Sequence, residues 1–342
     1  MATSLVKVGE LKGHQASVCC IEYARQSFLG DHVLASGSED ATCRIWDLRS
    51  GKVIKGIHNL KEAVGSVAFA NKPDLPHFYL ASGNQIHIYD LRNTAMILTT
   101  SERQYEFSGD EINSIDMHPK KNFLASGDDC GEVKVVDLDN HKIYKQIKKK
   151  HQSICMAVKF RSRKPWEVWS GGLDSKVYKW DFSRGTPMDV YDMASEPVKA
   201  QMFNPPFVYS LETSPDDAWI AAGSGDASIH LISNTRNRDA PTQLILENGH
   251  TTMVTALAFL EPTEEYPVRL ISGSANASLA YWQISSAQIS GAPIIAKPLQ
   301  LDPTMTKLNS LQVYELDNQA YIAAAGVGSS ATTGLIHIYE LP

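Results

Sequence analysis

Residues 34–49 read LASGSEDATCRIWDLR. Small residues lead into a polar turn, and the turn leads into a strand that ends in a bulky ring. CRIWD alternates as a half-buried strand does, and the Gly-Ser-Glu-Asp-Ala run before it is turn chemistry. Six further stretches repeat the order: LASGNQIHIYDL, LASGDDCGEVKVVDL, WSGGLDSKVYKWDF, AAGSGDASIHLIS, ISGSANASLAYWQI and AAGVGSSATTGLIHIYEL. Their strands end at Tyr89, Val136, Trp180, Ile232, Trp282 and Tyr339, so the gaps from Trp46 onward are 43, 47, 44, 52, 50 and 57 residues. A unit repeated at such a period cannot bury its faces alone and must stack on its neighbours.

The upstream halves repeat as well. GHQASVCCIEY, KKHQSICMAVKF and GHTTMVTALAF each place an aromatic nine residues after a histidine, at His14, His151 and His250. Seven such units leave almost nothing of the chain over. They predict an all-β fold, a single seven-bladed β-propeller over residues 1–342 with four strands per blade. The longer gaps call for loop insertions, and proline-bearing candidates stand at Asn71–His77, Ser195–Pro206 and Glu261–Pro267. IHIYEL near the C-terminus reads as the third strand of the last blade and LVKVGEL near the N-terminus as its fourth. Pairing these two strands closes the ring and removes an exposed sheet edge.

Composition narrows the function classes. A net charge of −6 argues against an all-over nucleic-acid binder. No apolar run is long enough to span a membrane, and MATSLVKVGELKGH lacks the apolar core of a signal peptide. The five cysteines (Cys19, Cys20, Cys43, Cys130 and Cys155) are odd in number and show no Cys-x-x-Cys spacing. Disulfides and a structural zinc site are therefore not expected, and the reading is a reduced protein of the cytosol or nucleus. Adjacent Cys19 and Cys20 are expected to face opposite sides of a strand. His32, His58, His77, His87, His118, His141, His230 and His337 are scattered without metal-ligand spacing, and no phosphate-binding glycine loop is present, so neither metal nor cofactor is expected. Residues 142–166, KIYKQIKKKHQSICMAVKFRSRKPW, hold nine Lys or Arg. The alternation of KIYKQIKKK fits an outer edge strand whose lysines block unwanted pairing.

Taken together, these repeats resemble the WD-repeat family over the whole length. Only Trp46 and Trp180 keep the Trp-Asp pair. The resemblance implies a hydrogen-bonded tetrad inside a blade, formed here by His14, Ser36, Asp40 and Trp46 and again by His151, Ser170, Asp174 and Trp180. A third set is His250, Ser272, Asn276 and Trp282, with Asn in the acidic place. The indole brings a large apolar body and one donor that must find an acceptor once buried. The same spacing recurs across blades, whereas an active site occurs once, so no catalytic residue is assigned to these sets. An enzyme in the channel would need a deep pocket with converging carboxylates or a metal, and the sequence displays neither.

Function is then expected in loops and rims. In this fold the third strand ends on the bottom face, so IWDLR and IYDLR set Asp47 with Arg49, and Asp90 with Arg92, side by side on one rim. Arginine carries a fixed five-donor fork and is enriched among interface hot spots. LASGSEDATCRIWDLR is similar to the sixteen-residue signature of WD-repeat proteins that dock onto the DNA-damage-binding adaptor of cullin-4 ubiquitin ligases. The resemblance implies adaptor contact by Asp47 and Arg49, supported by Asp90 and Arg92. The stretch from EINSIDMHPKKNFLASG to SKVYKW is also similar to the middle of the WD-repeat-containing protein 53 family, proposed as a receptor for the same ligase. A client protein is then expected on the opposite, top face, at Ser17, Glu39, Glu111, Asp129, Ile154, Leu173, Met253 and Ala275. The expected function is a non-catalytic scaffold and substrate receptor, with proteins as partners, no membrane, and nucleic acid disfavoured. The alternative is a general assembly scaffold for a ribosome, chromatin or trafficking complex.

Overall fold

The computed structural model describes residues 3–147, 150–194, 204–233, 243–329 and 333–341. Within them the chain is almost wholly strand, with one short helix, Ser286–Ile289. The strands form seven sheets, each with an antiparallel order of first, second, third and outer strand, and first strands of successive blades contact one another around the ring. Blade 1, for example, is built from Val18–Ser27, Gly30–Ser38, Cys43–Asp47 and Lys52–Ile57. Blade 7 takes its outer strand from the other end of the chain. Val6–Leu11 lies antiparallel to Gly334–Glu340, with Val6 opposite Glu340 and Leu11 opposite Ile336. The closure read from LVKVGEL and IHIYEL is therefore present.

The apolar alternation of each strand now has a purpose. Seven hydrophobic clusters occupy the seven interfaces between neighbouring blades; the one between blades 7 and 1 holds Leu11, Val18, Ile21, Leu34, Trp46, Ile336 and Ile338. Two blades gain a fifth strand, parallel to the outer one: Thr3–Ser4 on blade 6 and Ile97–Leu98 on blade 1. In each case the chain touches one blade's edge before joining the next blade.

Every first strand carries a bulge at the same place, between Val18 and Cys20 in blade 1 and between Leu308 and Ser310 in blade 7. The extra residue breaks the two-residue alternation and re-aims the strand. Cys19 and Cys20 are both half-buried, and their thiols donate to different carbonyls, that of Ser17 in the same blade and that of Val64 in the next. The insertions Asn71–His77 and Glu261–Pro267 fall between the first and second strands of blades 2 and 6. Most of Ser195–Pro206 lies outside the described residues.

The basic stretch divides. Lys142–Gln146 is the outer strand of blade 3, as the alternation indicated, but Lys159 faces the central channel and Arg161 is fully buried. Arg161 Nε donates to Asp217 Oδ1 at 2.7 Å, joining blades 4 and 5. The edge-strand reading covered KIYKQIKKK alone, and Lys159 and Arg161 beyond it meet acids from neighbouring blades.

Candidate functional site

Strand order gives the ring two faces. The hairpins between second and third strands lie on the top, and the third strands end on the bottom. Three kinds of polar constellation follow from this frame: tetrads within blades, a charged ring in the channel, and side chains on the two rims.

In blade 1 the buried Trp46 indole donates to Ser36 Oγ at 2.9 Å, and His14 Nε2 lies 2.8 Å from the same oxygen. His14 Nδ1 is 3.1 Å from Asp40 Oδ2. A carboxylate only accepts, so Nδ1 carries the proton and Nε2 accepts from the serine. Burial pushes the Asp40 carboxyl up, but bonds from His14, Thr42 and the Gln15 N–H outweigh it and hold it well below the usual range. Blade 4 repeats the set, with Trp180 to Ser170, His151 to Ser170 and His151 to Asp174 all at 2.8 Å. Blade 6 departs from the expected set. His250 Nε2 meets Ser272 at 2.6 Å, yet its Nδ1 meets Ser278 Oγ at 3.0 Å, not Asn276. Asn276 is exposed; its amide nitrogen donates to Thr251 and its oxygen accepts the Ser278 N–H. A neutral amide lacks the charge that draws the imidazole N–H, and the hydroxyl two residues on takes over. With no acid beside it, burial lowers the His250 pKa to about 4.

The charged lining of the channel was not foreseen. Glu22, Asp116, Lys159 and Glu212 occupy one position on the first strands of blades 1, 3, 4 and 5 and line a common cavity. Lys159 Nζ lies 3.1 Å from Glu212 and 3.7 Å from Asp116, while Gln312 donates to Glu22 at 3.4 Å. Carboxylates therefore do converge in the channel, contrary to the sequence reading. Burial, partly offset by Lys159, pushes Glu22 up to about 7 and Asp116 up to about 6. A carboxyl whose folded pKa is raised is penalised as pH climbs from its unfolded value to its folded one. Glu22→Gln is thus expected to stabilise the fold by about 1–2 kcal/mol at pH 7.5, after allowance for screening by channel water. The gain should vanish as pH falls towards 4.5 in urea titrations at several pH values; a gain independent of pH would refute this account. Among the described residues no group of three or more His, Cys, Asp or Glu is disposed to hold a metal.

On the bottom rim, Asp47 and Asp90 end the third strands of adjacent blades, and Arg49 and Arg92 are exposed. Asp90 grips the Arg92 guanidinium through three bonds of 2.6–3.0 Å. Asp47 instead accepts Ser50 Oγ at 2.6 Å and the Arg49 N–H at 3.1 Å. The Arg49 guanidinium has no hydrogen-bond partner among the described residues. Asp137 and Asp181 accept the same backbone N–H two residues on, so the acid forms the turn in four blades; of these, blades 1 and 2 place arginine at that second residue, while blade 4 has Arg184 one residue further, 3.3 Å from Asp181.

On the top rim the eight expected residues form four bonded pairs. The N–H groups of Glu39, Asp129, Leu173 and Ala275 donate to the carbonyls of Ser17, Glu111, Ile154 and Met253 at 2.9–3.0 Å. Ser17 is a correction: it is buried, and its Oγ accepts from Asn309 at 2.9 Å, so its side chain is spent inside the ring. Glu39 and Glu111 are exposed; Asp129, Ile154, Leu173, Met253 and Ala275 are half-buried.

The family model for the WD domain, G-beta repeat, matches residues 5–47, 101–137 and 200–233. The chain is 29% identical over 297 residues to the WD repeat-containing protein 53 homolog of Dictyostelium discoideum, covering 81% of this chain and 77% of that protein. It is 24% identical to the transcription factor unc-37 of Caenorhabditis elegans over 64% of the chain and 27% of that protein. It is 22% identical to the Denticleless protein homolog of Danio rerio over 81% and 39%. Among the described residues no helix is long and apolar enough to cross a membrane.

Proposed function

We propose that this chain, a seven-bladed β-propeller with matches to the WD-repeat model, whose members are typically non-catalytic scaffolds that bind proteins, is a substrate receptor docking onto the DNA-damage-binding adaptor of a cullin-4 ubiquitin ligase. One observation carries the reading. Arg49 and Arg92 stand exposed at the same end of the third strand in adjacent blades, each closing a Trp-Asp-Leu-Arg or Tyr-Asp-Leu-Arg run. Two always-charged forks on one rim make a hot-spot pair for an acidic or carbonyl-rich partner. The top face would then hold the client near the transfer site, and catalysis would be by proximity. The reading carries with it a cytosolic or nuclear location.

A pull-down with the adaptor tests it. Wild type should recover the adaptor, and Arg49→Ala with Arg92→Ala should lower recovery at least about tenfold, the loss expected for two hot-spot side chains. Equal recovery would remove these arginines from the contact. No recovery with either protein would discard the receptor reading and leave an assembly scaffold for another complex.

A further inference from the structure

Of the six tryptophans, Trp166 alone reaches solvent: it is 38% exposed, and the other five are at most 6% exposed. It ends the hairpin between the first and second strands of blade 4, on the same bottom face as the third-strand ends. Tyr144, 37% exposed, reaches the same corner from the outer strand of blade 3. Ile143 faces Val136 and Lys145 faces Val135, so Tyr144 is the extra residue of a bulge, and a bulge re-aims the side chain it adds. The two rings lie 22° from parallel with centroids 5.9 Å apart. Phe123 supports Tyr144 at 4.9 Å, and buried Phe182 supports Trp166 at 5.4 Å. His118 ties the two hairpins together: its Nδ1 accepts the Lys120 and Lys121 N–H groups, and its Nε2 donates to the Pro165 carbonyl at 3.3 Å.

The charge beside these rings is of one sign. The hairpins of blades 3 and 4 read HPKKN (118–122) and RSRKPW (161–166) and contain no acid, whereas that of blade 6 holds EPTEEYP (261–267). Arg161 is spent on Asp217. Lys121 Nζ sits 3.1 Å over the Trp166 ring, and Lys120, Arg163 and Lys164 are exposed. The flanking acids Asp137, Asp139 and Asp181 are held by Asn140, Asn122 and Arg184.

We propose that this corner binds a short acidic segment of a partner protein, with an apolar side chain seated on Tyr144 and Trp166 and flanking carboxylates on Lys120, Arg163 and Lys164. Rings already packed against one another lose little freedom on binding. Aromatic contact supplies the affinity, and the bordering cations select an acidic sequence. Nucleic acid is the competing polyanion, but base stacking needs open ring faces. Here Lys121 already covers a face of Trp166, and the whole chain carries −6. The inference is independent of the adaptor reading, which concerns Arg49 and Arg92 on blades 1 and 2, so either can fail alone.

The test titrates the full chain with acetyl-Asp-Glu-Asp-Leu-Asp-Glu-Asp amide, which has no tryptophan, and follows acrylamide quenching of tryptophan emission. Because Trp166 is the tryptophan open to the quencher, occupancy appears as saturable protection, with an expected dissociation constant of about 0.1 mM at low salt. Glycine in place of the peptide's leucine should weaken binding at least about fivefold, the loss expected for one buried apolar side chain. Lys120→Glu with Lys164→Glu should weaken it at least about tenfold. Both lysines are exposed, and an unchanged thermal melt verifies that the double variant is folded. No protection at about 1 mM peptide, equal protection by the glycine peptide, an unchanged affinity in the double variant, or tighter binding of an oligouridylate of equal charge overturns the proposal.

Discussion

Asp217→Asn is expected to cost about 3–5 kcal/mol of unfolding free energy, because it leaves a buried guanidinium without its counter-charge. Arg161 is fully buried, donates to Asp217 Oδ1 at 2.7 Å and to the Asp217 carbonyl, and has its remaining Nη1 unpartnered. Asp217 sits at φ +63, a conformation that asparagine also tolerates, so the substitution tests the charge and not the backbone. Arg161→Met combined with Asp217→Asn removes both charges and should recover much of the loss, since an apolar replacement for a buried pair is often near neutral. Urea unfolding at pH 7 of the two single variants and the double variant gives the coupling directly. A single variant within about 0.5 kcal/mol of wild type, inside the range of ordinary surface substitutions, would mean the pair does not hold blades 4 and 5 together.

The larger effect belongs to removal of residues 3–11. It uncovers the strand Gly334–Glu340 as an exposed edge and strips Leu5 and Leu11, both nearly inaccessible, from the interfaces flanking blade 7. The two leucines alone are worth about 4–10 kcal/mol at the usual cost of emptying a core position. An unpaired edge then recruits other chains. The truncated protein should melt far below the full chain and elute as aggregate in size-exclusion chromatography. A monomer with an unchanged melt would show that the ring stands without its closing strand.

Much of this was legible from residues alone. The repeated strand ends at Trp46, Tyr89, Val136, Trp180, Ile232, Trp282 and Tyr339 gave seven blades, and the resemblance to the WD-repeat family implied the two complete tetrads that the structure holds. What escaped depends on register between blades. Glu22, Asp116, Lys159 and Glu212 lie far apart in sequence and share a position only once seven first strands are aligned around the bulge. Asn276 and Ser278 sit two apart in one hairpin, and spacing cannot choose which of them reaches His250. Arg161 lies among exposed Arg163 and Lys164, so nothing local marks it as the one turned inward. The signal that could have found it is the Asp216-Asp217 pair in the corresponding turn of the next blade.

After Asp90 the chain does not go straight to its own outer strand. It crosses to blade 1, where the Gly56 and His58 N–H groups donate to the Met96 and Leu98 carbonyls at 2.8 and 2.9 Å, and where the buried Lys55 ammonium clasps the Asn93 and Ala95 carbonyls. The segment just beyond Arg92 is thereby riveted to the blade that bears Arg49. A ligand that clamps both guanidinium groups would meet them on a common rigid plate, with no hinge to freeze. Little ordering entropy would be forfeited on association, and loosening that rivet by Lys55→Met would weaken such a complex without touching either arginine.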